Sequence, residues 1–158
     1  METLSALVNT KSSEELLSLL SEELVMRGYV KEGYREALLE REKNYPTGLA
    51  FNGSFSIAIP HTNIDFTKKE VMVVAKTINY SIPFQRMDNP AEEVKVETVF
   101  LFAIKESKRY IQFLSDFLEA LKNESCQNAI KELSPKKIVE SLDGALPHYE
   151  FSYKGFLL

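Results

Sequence analysis

Two runs in the middle of the chain, EVMVVAKT at 70–77 and VKVETVFLFAI at 94–104, are so rich in β-branched and aromatic residues that they read as strands buried on one or both faces. Such strands need packed layers over them. A third run alternates, with Phe55, Ile57 and Ile59 interleaved by Ser54, Ser56 and Ala58, and the three together predict a central sheet.

The flanks carry helical spacing. SSEELLSLLSEELVMRG opens with Ser12 and Glu15 in capping-box register, places Leu16, Leu17, Leu20 and Leu24 on one face, and stops at Gly28. EGYREALLERE sets Tyr34, Ala37, Leu38 and Arg41 at i, i+3, i+4 and i+7, which predicts Arg41 on the inward face of the last turn before Pro46 and Gly48 end the helix. After the strands, SKRYIQFLSDFLEALKN aligns Tyr110, Phe113, Leu114, Phe117 and Leu121, and ESCQNAIKEL and SPKKIVESLD read as two shorter helices. Two helices, several strands and three helices predict an α/β fold, a three-layer α/β/α sandwich around a central mixed β-sheet. With 158 residues and 44% apolar side chains, a single domain over 1–158 is expected.

Several function classes are disfavoured. Nineteen basic against twenty-three acidic residues, with no long block of one sign, give no nucleic-acid footprint. METLSALVNT lacks the pattern of a leader, no apolar run approaches membrane-spanning length, and Cys126 has no partner for an internal disulfide. A reduced, cytoplasmic, soluble protein without membrane insertion is therefore expected. Cys126 lies in NESCQNAI with no histidine near it in sequence, so it reads as a half-buried helix residue. Two histidines and one cysteine are too few for a zinc site, and G-x-S-x-G, H-E-x-x-H, Walker and G-x-G-x-x-G motifs are all missing.

What remains is His61. Pro60 has no N–H and ends a ladder, so the IAIPHT strand should deliver His61 to the rim of the sheet, where sites are built. A neutral imidazole there can act as nucleophile, base or ligand, although a lone histidine is more often structural. His148, in the tail ALPHYEFSYKGFLL, lacks a strand pattern around it and reads as structural; the aromatic tail itself is expected to pack.

The residues around His61 are more specific. RE at 41–42, YPTGL at 45–49, IAIPHT at 57–62, IPFQRMD at 82–88 and the strand VETVFLFAI, in this order, resemble the enzyme IIA component of the bacterial phosphoenolpyruvate-dependent sugar phosphotransferase system, in its fructose/mannitol superfamily and nearest its galactitol-like branch. The resemblance implies that His61 accepts a phosphoryl group from HPr and passes it to a cysteine of enzyme IIB, which serves a membrane enzyme IIC. Such transfer needs positioning and charge stabilisation rather than a metal or nucleotide, so no cofactor is implied. Arg41 matches the family arginine beside the phosphorylation site and is suited to two phosphoryl oxygens, against the plainer role of a cation at a helix C-terminus. Thr47 can hydrogen-bond the imidazole or the phosphoryl group, or be a turn residue; Gly48 suggests close backbone approach or positive φ.

In one place the chain departs from the mannitol and fructose types, which carry a second histidine where this chain has Tyr110. A tyrosine can donate a hydrogen bond but cannot become a cation. Arg109 beside it is expected to point elsewhere, a helix turning about 100° per residue. HPr and enzyme IIB should share an apolar surface around His61, with Phe84, Met87 and the loop after Pro60 as expected contributors. Three classes stand: a carrier feeding a galactitol or polyol transporter, a nitrogen-type regulator switched by phosphorylation, and a non-catalytic fold relative, which the intact Pro-His motif disfavours.

Overall fold

The computed structural model describes residues 1–51, 55–132 and 134–158. Its elements run β1 (Glu2–Val8), α1 (Ser13–Met26), α2 (Tyr34–Asn44), β2 (Gly48–Phe51), β3 (Phe55–Ala58), a 3-10 turn (Ile64–Phe66), β4 (Val71–Thr77), β5 (Ile82–Gln85), β6 (Glu93–Val96), β7 (Thr98–Ala103), α3 (Ser107–Ala120), α4 (Glu124–Lys131), α5 (Pro135–Ala145) and β8 (Ser152–Phe156). Ser54 in the alternating run and Leu133 at the end of the fourth expected helix lie outside the described residues.

Six strands form one mixed sheet in the order β2-β3-β7-β4-β1-β8. β1 runs parallel to β4 and β8, β3 parallel to β7, and β4 antiparallel to β7. Every residue of β4 and β7 is buried, because each has a paired strand on both sides and a layer over both faces. On one face Leu16, Leu20, Leu24, Tyr34 and Leu38 of α1 and α2 pack with the β5–β6 hairpin; on the other, Phe113 and Phe117 of α3 pack with α4 and α5. The expected three-layer sandwich is thus formed. Ser12 caps α1 by accepting the Glu15 N–H at 3.1 Å, and Gly28 ends it at φ 79°.

The run 94–104 is not one strand. Val94 and Val96 are buried while Lys95 and Glu97 are exposed, and from Thr98 onward everything is buried. That change of period is the break: the alternating part forms β6 of a separate hairpin with β5, and the uniform part forms β7 at the centre of the sheet. Four strands were also not expected: β2, β5 and the two at the ends of the described chain. β1 precedes the first helix, its Ser5 hydroxyl paired with Tyr153 Oη at 2.7 Å. The tail does carry a strand, β8, laid against β1, while Tyr149 packs edge-on to Phe113 at 5.1 Å.

Gly48 answers to close approach rather than positive φ. A Cβ at this position would stand 2.6 Å from the Gln85 carbonyl oxygen and 2.9 Å from Val94 Cγ2, so the glycine lets the β5–β6 hairpin lie on β2. Gly48→Ala should therefore lower stability by roughly 2 kcal/mol, read as a shifted urea midpoint with an unchanged slope.

Candidate functional site

Ladder pairing of β3 ends as expected at the Pro-His pair. Pro60 has no N–H to give, but its carbonyl accepts from Phe102 N at 3.3 Å, and His61 continues beside Phe102 at the end of β7. Phe102 in turn meets Phe113 and Phe117 of α3 edge-on at 5.1 and 5.0 Å. This fixes α3 so that one turn back its Tyr110 ring lies 5.0 Å from the His61 ring.

The imidazole is held in one orientation. Its Nδ1 lies 2.8 Å from the Ile59 carbonyl oxygen, which can only accept, so Nδ1 carries the proton and Nε2 keeps its lone pair. Burial holds the His61 pKa below its ordinary 6.5; the Ile59 hydrogen bond opposes this, and the charge of Arg41 adds to it. At neutral pH the ring is an uncharged imidazole with a nucleophilic Nε2.

Ile59 is itself anchored. Its N–H is shared between Thr47 Oγ1 at 3.2 Å and the Thr47 carbonyl at 3.3 Å, while Thr47 donates its N–H (2.9 Å) and its hydroxyl (2.9 and 3.1 Å) to the Glu42 carboxylate. Glu42, Thr47, Ile59 and His61 form one relay. The Thr47 hydroxyl proton is therefore spent on Glu42, and Thr47 acts on the imidazole through Ile59 rather than touching it. Glu42 was not singled out from sequence, yet it carried a signal: a carboxylate in the last turn of a helix sits at the unfavourable end of the dipole and needs a local donor. Burial pushes its pKa up, against the two Thr47 donors. Thr47→Val should cost about 1 kcal/mol of stability, checked by urea unfolding.

Arg41 is exposed, not inward. Tyr34 and Leu38 are buried, but the same stripe has run past the rim of the core by the last turn, and the guanidinium stacks 4.3 Å from the Tyr45 ring centroid. It makes no ion pair among the described residues, and its charge reaches both His61 and Tyr110. The Tyr110 phenol is raised far above the usual tyrosine range by burial, with Tyr34 adding to the rise and Arg41 opposing it. Its hydroxyl is buried without a hydrogen-bond partner among the described residues, as is that of Tyr34, a residue whose sequence pattern announced only core. The Tyr110 phenol thus lies by the imidazole, and the Tyr34 phenol close enough to Tyr110 to act on its charge.

Arg109 Nη1 is paired with Glu70 at 2.8 Å. Phe84 is only 2% exposed, part of the core under α1, and cannot form a docking surface; Met87 is exposed at 42% and can. Cys126 is buried in α4, its thiol pushed up by burial, and His148 is exposed on the turn after α5.

Residues 2–144 match the family described as phosphoenolpyruvate-dependent sugar phosphotransferase system, EIIA 2. The chain belongs to this family. Over 146 residues, 90% of the chain, it is 33% identical to the mannitol-specific EIICBA component of Buchnera aphidicola subsp. Baizongia pistaciae, of which it spans 20%. It is 26% identical over 100 residues to the galactitol-specific EIIA component of Escherichia coli K12, 63% of this chain and 65% of that protein. Among solved structures, the E. coli IIA mannitol crystal structure superposes with a TM-score of 0.61 at 25% identity, covering 89% of this chain and 94% of that one. The E. coli complex of IIA mannitol with phosphorylated IIB mannitol gives 0.65 at 23% identity, covering 93% and 94%. No helix among the described residues is long and apolar enough to cross a membrane.

Proposed function

We propose that the chain is one EIIA domain over residues 1–158, a cytoplasmic phosphocarrier in which His61 Nε2 takes a phosphoryl group from phosphohistidine of HPr and gives it to a cysteine of an enzyme IIB. The observation that carries this reading is the Nδ1 to Ile59 hydrogen bond, which leaves Nε2 as the nucleophile. In the transfer the Nε2 lone pair forms the new N–P bond while the donor imidazole takes back the electrons of the old one. The His61 ring becomes positive and its Nδ1–H is held by Ile59, so no proton has to leave. Arg41, with the Tyr110 hydroxyl beside it, stabilises the charge on the transferring oxygens.

The substrate class is galactitol or a related polyol, by likeness to the galactitol-specific and mannitol-specific relatives. Incubation with phosphoenolpyruvate, enzyme I and HPr, followed by nitrogen-15 NMR of the ring, tests the reading: phosphorus coupling at Nε2 supports it, and coupling at Nδ1 or no phosphorylation overturns it. Transfer onward to a galactitol-type IIB rather than a mannitol-type one tests the polyol assignment.

The state of the ring has a pH signature. Because the folded pKa lies below 6.5, the His61 ring should titrate in NMR with a midpoint under that value. The neutral ring's contribution to stability is complete above 6.5 and is lost as the pH falls through the lowered value. A midpoint above 6.5 would contradict the burial described.

A further inference from the structure

At the opposite rim of the sheet lies a second polar cluster. Lys76 is the last but one residue of β4 and is 1% exposed, in a strand otherwise made of apolar residues and Thr77. It is paired with Thr98 on β7, whereas His61 lies beside Phe102, so four residues of strand, roughly 13 Å, separate the two places.

A buried ammonium is costly unless charge compensates it, and no carboxylate forms an ion pair with Lys76 among the described residues. Its Nζ donates to Thr98 Oγ1 and, at 3.2 Å, to the Ile130 carbonyl in the last turn of α4. Those neutral acceptors meet two of its three donors. The cluster borders a cavity of about 380 Å³, lined also by Lys95 and Lys131, by Ser56, Ser81 and Thr98, and by one acidic residue, Glu97. Three cationic side chains face one anionic one around a space that fits a small molecule and no polymer. Burial pulls the Lys76 pKa down to about 8, with Glu97 opposing, the direction expected for a cation short of compensating charge.

We propose that this cavity binds a small oxyanion, a phosphate or a carboxylate, with Lys76 at its base and Lys95 and Lys131 at its mouth. The site does not depend on the reading of His61. It gives the domain a ligand site remote from phosphoryl transfer.

The test titrates the full chain with inorganic phosphate and, separately, with acetate, following backbone amides of residues 95–98 and lysine side-chain signals by NMR. Saturable binding of either anion is expected, weakened about tenfold in a Lys95→Ala, Lys131→Ala double variant and in Lys76→Met, and unchanged in His61→Ala. Phosphate binding alone identifies a phosphate site, and acetate displacing phosphate identifies a general oxyanion site. The double variant alters only exposed residues, so it decides the matter even where Lys76→Met does not fold. Absence of saturation below about 50 mM for both anions, binding unaffected by the double variant, or binding lost with His61→Ala would each overturn the proposal.

Discussion

Labelled from phosphoenolpyruvate through enzyme I and HPr, the chain should gain one phosphoryl group by intact mass, and His61→Ala should gain none. The loss is expected to be at least about 10⁴-fold in rate, because a nucleophile has no substitute when every other part of the site only positions or stabilises. The label should be acid-labile, as a phosphoramidate is. Circular dichroism of the variant should match the wild type: among the described residues the imidazole makes one hydrogen bond, to Ile59, and its ring is only partly buried. Labelling of His61→Ala at the wild-type rate would move the site elsewhere and end the carrier reading of this residue.

Arg41→Met should slow acceptance about 10²-fold, comparable to the loss of one preorganised donor to developing negative charge. Arg41→Lys should fall between, since an ammonium restores the charge without the planar fork that meets two oxygens at once. Because Arg41 is exposed and its described partner is the Tyr45 ring, stability should fall by less than about 1 kcal/mol. The rate is read by single-turnover labelling and the stability by urea unfolding. A rate unchanged in Arg41→Met would leave Arg41 with the plainer role of a cation at a helix C-terminus.

How far the amino-acid sequence announces this structure depends on which forces act locally. The capped helix from Ser13 and the buried stripe of α3 were legible because periodicity and caps are properties of neighbouring residues. β1 and β8 were not, since ETLSALV and SYKGF become strands by pairing with partners far along the chain. Arg41 was assigned to the correct helix turn but to the wrong environment, for spacing fixes a face and not where the core ends. The structure brings the Tyr110 ring within 5.0 Å of His61, but His61, Arg41 and Tyr110 were named together only through a family resemblance. Glu42 and Tyr34 were not, because a carboxylate that braces a threonine and a phenol with an unused hydroxyl show their value only in three dimensions. Phe84 was mistaken for surface because its hairpin was unread, and an unread hairpin hides which of its faces is covered.

The pairing of β8 with β1 bears on how the molecule is made. Glu2 sits opposite Ser152 and the Met1 carbonyl accepts the Ser152 N–H at 3.0 Å, so the sheet joins opposite ends of the described chain. During synthesis β1 can find β4 early, but its other edge stays bare until residues 152–156 have been made. Of the pairings between described strands this one closes the longest loop, and loop-closure entropy places such a seam late in folding.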